Sequence, residues 1–311
     1  LYGVSVSNRS FLSRKKRRSV EKIFLAERID TVIMNLPSDL KLAAPAARKA
    51  GVRHVIYRRG SAIPIRNSWL NRRLFGRYLT GMIANSEETK RTILARNSTL
   101  FDPDRIRVIY NGLDLAEWDG IADSRLYQGQ PGQFVVGNAG RLTRQKGQES
   151  LIAIARDLKE KGLDFIVLIA GEGPLRTRLE EQASRAGVDD RVVFTGFVRN
   201  MKSFMDSLDL FVLTSRWEGF GYVLIEAMAA SRPVIAFDNS SNPEIIADGV
   251  TGILAGDVEE MASRILELSG RGEEREMMGR AGRKRVETMF TLGGSAARLE
   301  EYLLELEGNK T

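Results

Sequence analysis

From Phe134 onward, short apolar runs rich in β-branched residues alternate with stretches in which apolar positions return every three or four residues. The first kind of pattern predicts buried strands at 134–140, 164–170, 191–197, 209–214 and 233–237. The second predicts helices at 148–161, 174–186, 200–207 and 222–230, the first with Leu151, Ile154, Ala155 and Leu158 on one face. Strand and helix in strict alternation imply a parallel sheet covered by helices, with ligands expected beyond the carboxyl ends of the strands. After Gly256 the pattern is mostly helical and ends in the amphipathic stretch Ser295 to Leu306.

The N-terminal part carries a shorter version of the same pattern. Helices are expected at 19–28, 39–50, 68–79 and 86–95, and strands at 31–35, 53–57, 81–84 and 106–109. The polar stretch Arg125 to Gln133, with Gly129, Pro131 and Gly132, has the composition of a linker. The expected division is therefore 1–127, 128–294 and a C-terminal helix, 295–311, that returns to the first domain. The chain opens on Leu and shows no leader pattern, so it reads as the continuation of a longer polypeptide whose first domain lacks its first strands.

Composition narrows the chemistry. Zero cysteines exclude disulfides, thiol catalysis and thiolate metal sites, and fit a cytoplasmic enzyme. The single histidine, His54, excludes a multi-imidazole zinc centre, and at a strand entry it is expected to be structural. No apolar run approaches the roughly 18 residues of a membrane-spanning helix. Charge is uneven: residues 1–120 hold 23 basic and 11 acidic side chains, a net +12, against 24 and 29, a net −5, for the remainder. Such a field favours anionic partners without choosing among them. The block Arg14-Lys15-Lys16-Arg17-Arg18 reads either as a solvated surface segment or as a contact for an anionic membrane. The apolar residues Trp69, Leu70, Leu74 and Phe75 allow the same two readings, a helix packed on its domain or part of a bilayer-docking face.

Two constellations carry the candidate chemistry. Arg216-Trp217-Glu218-Gly219-Phe220-Gly221 lies between an expected strand and the helix beginning at Tyr222. Glycines let the backbone turn and approach a ligand, and a helix start presents N–H groups to an anion, which suits a diphosphate. Glu218 and Glu226 are then placed to border one ligand and accept hydrogen bonds from its hydroxyls. In Gly140-Arg141-Leu142-Thr143-Arg144-Gln145-Lys146-Gly147, Arg141 and Lys146 are expected to converge on a pyrophosphate. The turns Gly171-Glu172-Gly173-Pro174 and Thr195-Gly196-Phe197-Val198 occupy equivalent positions, the first near sugar or phosphate and the second, through Phe197 and Val198, near a base edge; both are also ordinary structural turns.

Taken with Ala170-Gly171-Glu172-Gly173-Pro174, Phe194 to Val198, Ala227-Met228-Ala229, Pro243-Glu244-Ile245-Ile246 and Gly249-Val250-Thr251-Gly252, these segments resemble the retaining GT-B glycosyltransferases of glycosyltransferase family 4. Ile83-Ala84-Asn85-Ser86 and Ile106 to Asp114 resemble the same family. The resemblance implies two Rossmann-like domains facing a cleft. It implies Glu218 on the transferred sugar, Glu226 on the ribose, and Arg141 with Lys146 on the diphosphate, helped by Gly219, Phe220, Gly221, Tyr222 and Val223 at the helix start. It implies a nucleotide-sugar donor (UDP-, GDP- or ADP-linked), a saccharide or glycolipid acceptor as in lipopolysaccharide-type synthesis, and no metal or other cofactor. Asp102-Pro103-Asp104 accordingly reads as turn chemistry. Where many relatives place a histidine this chain has Arg58-Arg59, expected to meet an anionic acceptor or the donor phosphate. A nucleotide-sugar epimerase and a basic nucleic-acid-binding module are the competing readings; the second leaves the two glutamates unexplained and lacks interleaved aromatics, so no nucleic-acid partner is expected.

Overall fold

The computed structural model describes residues 3–4, 10–122 and 124–308. By contacts the chain forms two compact units, one of residues 1–110 with 296–311 and one of residues 111–295.

The first unit is a parallel sheet in the order β1-β2-β3-β4, with β1 Thr31–Met34, β2 His54–Arg59, β3 Gly81–Ala84 and β4 Ile106–Val108. Val32, Ile33 and Met34 pair with Val55, Ile56 and Tyr57, so consecutive apolar side chains fill both faces, as a sheet covered on two sides requires. Helices α1 Arg14–Ala26, α2 Pro37–Lys49, α3 Trp69–Arg73 and α4 Glu87–Leu94 connect the strands. The basic block is thus not a coil. It forms the first turns of α1, where Ser13 caps the helix by accepting the Lys16 N–H at 3.2 Å and Val20 packs with Leu42 and Ala46. Five adjacent cations hid a helix start. The predicted 68–79 helix is α3 followed by a π turn over Leu74–Tyr78, and Leu70, Leu74 and Phe75 go to the core, Phe75 standing edge-on to Tyr57. Trp69 alone stays out, 66% exposed.

The second unit has six parallel strands in the order β10-β9-β8-β5-β6-β7: β5 Phe134–Ala139, β6 Phe165–Ala170, β7 Val192–Gly196, β8 Leu210–Leu213, β9 Val234–Phe237 and β10 Ile253–Ala255. Its helices are α5 Leu115–Gly120, α6 Glu149–Glu160, α7 Arg176–Arg185, α8 Met201–Asp206, α9 Tyr222–Ala229, α10 Asn242–Ile245, α11 Val258–Ser269 and α12 Gly272–Met289, and α13 Leu292–Gly308 begins in this unit and runs into the first. The order is that of a doubly wound sheet whose direction of winding reverses between β5 and β8. Pattern reading missed α5, α10 and β10, each of six residues or fewer and too short to repeat a period twice.

The chain passes from one unit to the other at 110/111, ahead of the linker-like stretch. Leu113 exchanges backbone hydrogen bonds with Phe290 and Leu292 at 2.8 and 2.9 Å, and Asp119 pairs with Arg283 at 2.7 Å, which ties residues 111–120 to the second unit. The 125–133 stretch is likewise docked on that unit: Leu126 N–H donates to Ser203 and Tyr127 N–H to the Ser207 hydroxyl. From Ala296, α13 belongs to the first unit, where Tyr302 is buried with Ile56, Ile83 and Ile109.

Candidate functional site

Where winding reverses, the loops leaving neighbouring strands part and leave a crevice at the carboxyl ends. A cavity of about 460 Å³ lies there in the second unit. Ala139, Gly140, Arg141 and Lys146 line it from the end of β5 and its loop, Ala170, Gly171 and Glu172 from β6, and Phe197, Val198 and Met201 from the β7–α8 connection. Phe220, Tyr222, Val223 and Glu226 complete it from the β8–α9 loop and α9. Every predicted site residue except Glu218, Gly219 and Gly221 lines this one cavity. Met201, at the first position of α8, and the strand-end alanines were not legible as site residues, because apolar residues at such positions read as core.

The loops are held by backbone packing that only glycine allows. Gly171 has φ +133°, and a Cβ there would lie 2.1 Å from the Gly140 carbonyl oxygen. A Cβ on Gly147, at φ +61°, would lie 2.3 Å from the Thr214 oxygen. Arg216 N–H donates to Gln145 at 2.8 Å, the Thr214 hydroxyl to Lys146 at 3.1 Å, and the Gln145 amide to Trp217 at 3.0 Å. The loops after β5 and β8 therefore behave as one laced body.

Glu218 is 4% exposed and sits behind the cavity wall. Its carboxylate accepts from Lys146 Nζ at 2.5 Å, and its backbone is gripped from both sides by Ser240, whose Oγ accepts the Glu218 N–H at 3.0 Å and donates to the Glu218 carbonyl at 2.7 Å. Lys146 thus lines the cavity beside Arg141 while also paired with Glu218, because a buried carboxylate without a partner carries a large desolvation cost. Ser240 takes a left-handed φ of +54° to make this clasp, and nothing in a single sequence announces it.

The Glu226 carboxylate, one turn into α9, has no hydrogen bond or ion pair among the described residues. Burial pushes its carboxyl up from 4.5 to about 7. Gly221 caps α9 without a side-chain bond, leaving the helix start open to a ligand. One expected donor is otherwise engaged: Tyr222 N–H donates to the Phe220 carbonyl at 2.8 Å, closing a tight turn.

Elsewhere, His54 is buried at the first position of β2. The Arg59 guanidinium donates to the Ile63 carbonyl. Asp102 accepts the Asp104 N–H at 3.0 Å in the turn before β4. Among the described residues no group of three or more His, Cys, Asp or Glu side chains is placed to hold a metal ion, and no helix is long and apolar enough to cross a membrane.

A doubly wound donor-type unit preceded by a second parallel α/β unit defines the GT-B class of fold. The chain belongs to the family Glycosyl transferases group 1, whose model matches residues 125–285, while residues 4–117 match Glycosyltransferase Family 4. Among curated proteins it is 36% identical over 161 residues to the alpha-D-kanosaminyltransferase of Streptomyces kanamyceticus, covering 50% of this chain and 42% of that protein. It is 33% identical over 172 residues to the lipopolysaccharide core biosynthesis mannosyltransferase LpcC of Rhizobium leguminosarum bv. viciae, covering 51% and 48%. The chain thus spans about half or less of the length of these relatives. Its fold matches that of Anabaena HepE in complex with UDP and glucose, with a TM-score of 0.80 and 24% identity over 96% of this chain and 83% of the other.

Proposed function

We propose that this chain is the donor-binding and catalytic part of a retaining glycosyltransferase that moves a sugar from a nucleotide-diphosphate sugar to a saccharide or lipid-linked acceptor. The observation that carries the reading is one cavity that joins two cations, Arg141 and Lys146, a helix start with no side-chain cap and a half-buried carboxylate without a side-chain partner, Glu226. Cations and helix N–H groups suit a diphosphate, and a carboxylate aimed into the same space suits vicinal hydroxyls of a ribose.

In this reading Arg141 and Lys146 stabilise the negative charge that grows on the departing nucleoside diphosphate, and no metal is required. Lys146 is already oriented by Glu218, and entry of the sugar lets Glu218 accept from its hydroxyls. Phe197, 75% exposed on the rim, offers a flat apolar surface to the base. A UDP-linked donor is favoured by the ligands named for HepE, and a cell-envelope acceptor by the lipopolysaccharide role named for LpcC. A cytoplasmic enzyme working against an anionic bilayer is favoured by the exposed Arg14, Lys15 and Arg18 on α1 and by Trp69.

A thermal-shift panel of UDP, GDP, ADP and their sugars tests the donor reading, since a ligand of the folded state raises the melting temperature by mass action. The proposal expects one nucleotide series to stabilise the protein and its sugar to be transferred with anomeric configuration kept. Absence of any shift, or inversion, would overturn it. Conversion of the nucleotide sugar without acceptor, followed by NMR, would favour an epimerase. Flotation with anionic but not neutral liposomes is the result expected for membrane contact.

A further inference from the structure

The loop after β5 borders a second cavity. Arg141 and Lys146 line the donor-type cavity, whereas Arg144, between them in sequence, lines a separate one of about 300 Å³. Arg178 on α7 and Arg216 in the β8–α9 loop join Arg144 there, with Glu149, at the start of α6, as its only acid. Glu149 is committed to Arg216, Oε1 to guanidinium at 2.5 Å. Arg144 and Arg178 have no hydrogen bond or ion pair among the described residues, so two guanidiniums remain uncompensated.

Like charges gathered around a cavity repel one another and need a structural reason or an occupant. Packing does not supply the reason, because the guanidiniums of Arg144, Arg178 and Arg216 lie on exposed residues. The lacing of the β5 and β8 loops fixes the backbone on which Arg144 and Arg216 stand, and α7 carries Arg178, so the fold sets the positions from which the three side chains reach the cavity. Leu175 and Leu179 give the lining an apolar portion and Gln182 a neutral hydrogen-bonding group. Three guanidiniums against one carboxylate leave an excess of two positive charges, which matches the dianion of a phosphate monoester.

We infer that this cavity is a second anion site that binds a small phosphate monoester with an apolar or ring-shaped body, separate from the cavity proposed for the donor. The inference does not depend on what the donor cavity binds.

Phenyl phosphate is the probe, titrated by calorimetry into the protein with UDP in saturating excess, beside benzoate as the monoanion control. Wild-type protein should bind one equivalent of phenyl phosphate with UDP present, and benzoate at least about tenfold more weakly. Arg178→Gln and Arg144→Gln, both surface changes, should each weaken phenyl phosphate by about tenfold or more and leave UDP affinity unchanged within about twofold. No saturable binding, benzoate binding as tight as phenyl phosphate, or undiminished binding by the double variant would each overturn the inference. If UDP itself failed to bind, the donor reading would fall. Phenyl phosphate binding lost in Arg178→Gln and kept in Arg141→Gln would still establish the second site.

Discussion

Glu218 and Glu226 lie eight positions apart around the start of one helix, yet their surroundings are opposite. Glu218 is in the loop, fixed by Lys146 through its side chain and by Ser240 through its backbone. Glu226 is on the helix, half-buried and with no side-chain partner among the described residues. A carboxylate whose charge is already answered is held in place. One that is merely desolvated stores a demand for a partner, which a hydroxyl-bearing ligand can meet. The pair therefore divides into a prearranged group and a waiting group, unlike the acid and nucleophile pair of a glycosidase.

The largest effect should come from breaking the answered half. Glu218→Gln keeps the shape and removes the negative charge that faces Lys146, and sugar transfer should fall by about 10²–10³-fold, the scale of losing one electrostatic stabiliser at a reacting centre. UDP affinity, followed by calorimetry, should change by no more than about threefold. The opposite split between turnover and binding would reverse the roles of the two glutamates.

The waiting half should show itself in pH. A folded-state pKa of about 7 against 4.5 for the free side chain means that the folded protein holds this proton more tightly than the unfolded chain. The stability it contributes is full below pH 4.5 and is lost as pH rises through about 7, by on the order of 3 kcal/mol. Urea midpoints of wild type and Glu226→Gln compared at about pH 5 and about pH 8 isolate this contribution, and equal pH dependence in the two proteins would discard it. For binding the sign is opposite: UDP affinity should improve as pH rises through about 7, because the ionised carboxylate is the better acceptor.

Glu226→Ala should weaken UDP binding by about tenfold at a pH above 7, about one charge-assisted hydrogen bond, with a smaller loss of turnover at saturating donor. Smallest is the clasp. Ser240→Ala removes both of its contacts to the Glu218 backbone, leaving the carbonyl the longer bond from Ser241 at 3.4 Å, and should lower turnover about fivefold while the donor Michaelis constant holds. A change in the Michaelis constant alone would mean that Ser240 shapes the cavity and does not position Glu218.

The strands β5 to β9 and the helices α6 to α9 of the second unit were legible in sequence to within a residue or two, because burial on both faces of a parallel sheet writes continuous apolar runs such as Phe165 to Ala170, whereas α11 and α12 were legible only as a mostly helical region after Gly256. The cavity's outline was legible too, since each of its loops follows such a run and Gly171 and Gly147 mark where backbones touch. Pairing across distance was not. Lys146 and Glu218 are 72 residues apart, and their meeting depends on β5 and β8 being neighbours, which is a property of strand order. Composition misled at Arg125 to Gln133, where a linker-like stretch makes backbone hydrogen bonds to Ser203 and Ser207, and at Arg14 to Arg18, where charge obscured a capped helix.

The path of α13 has a bearing on how such proteins can be recombined. Because Tyr302 is part of the core around Ile56 and Ile83, the first unit is assembled from two separate lengths of chain and the second is an insertion within it. A chimera that exchanges the second unit between relatives therefore has to transplant residues 111–295 as an internal cassette with two seams. A single crossover near residue 127 would give a hybrid whose N-terminal portion receives a foreign helix at its centre.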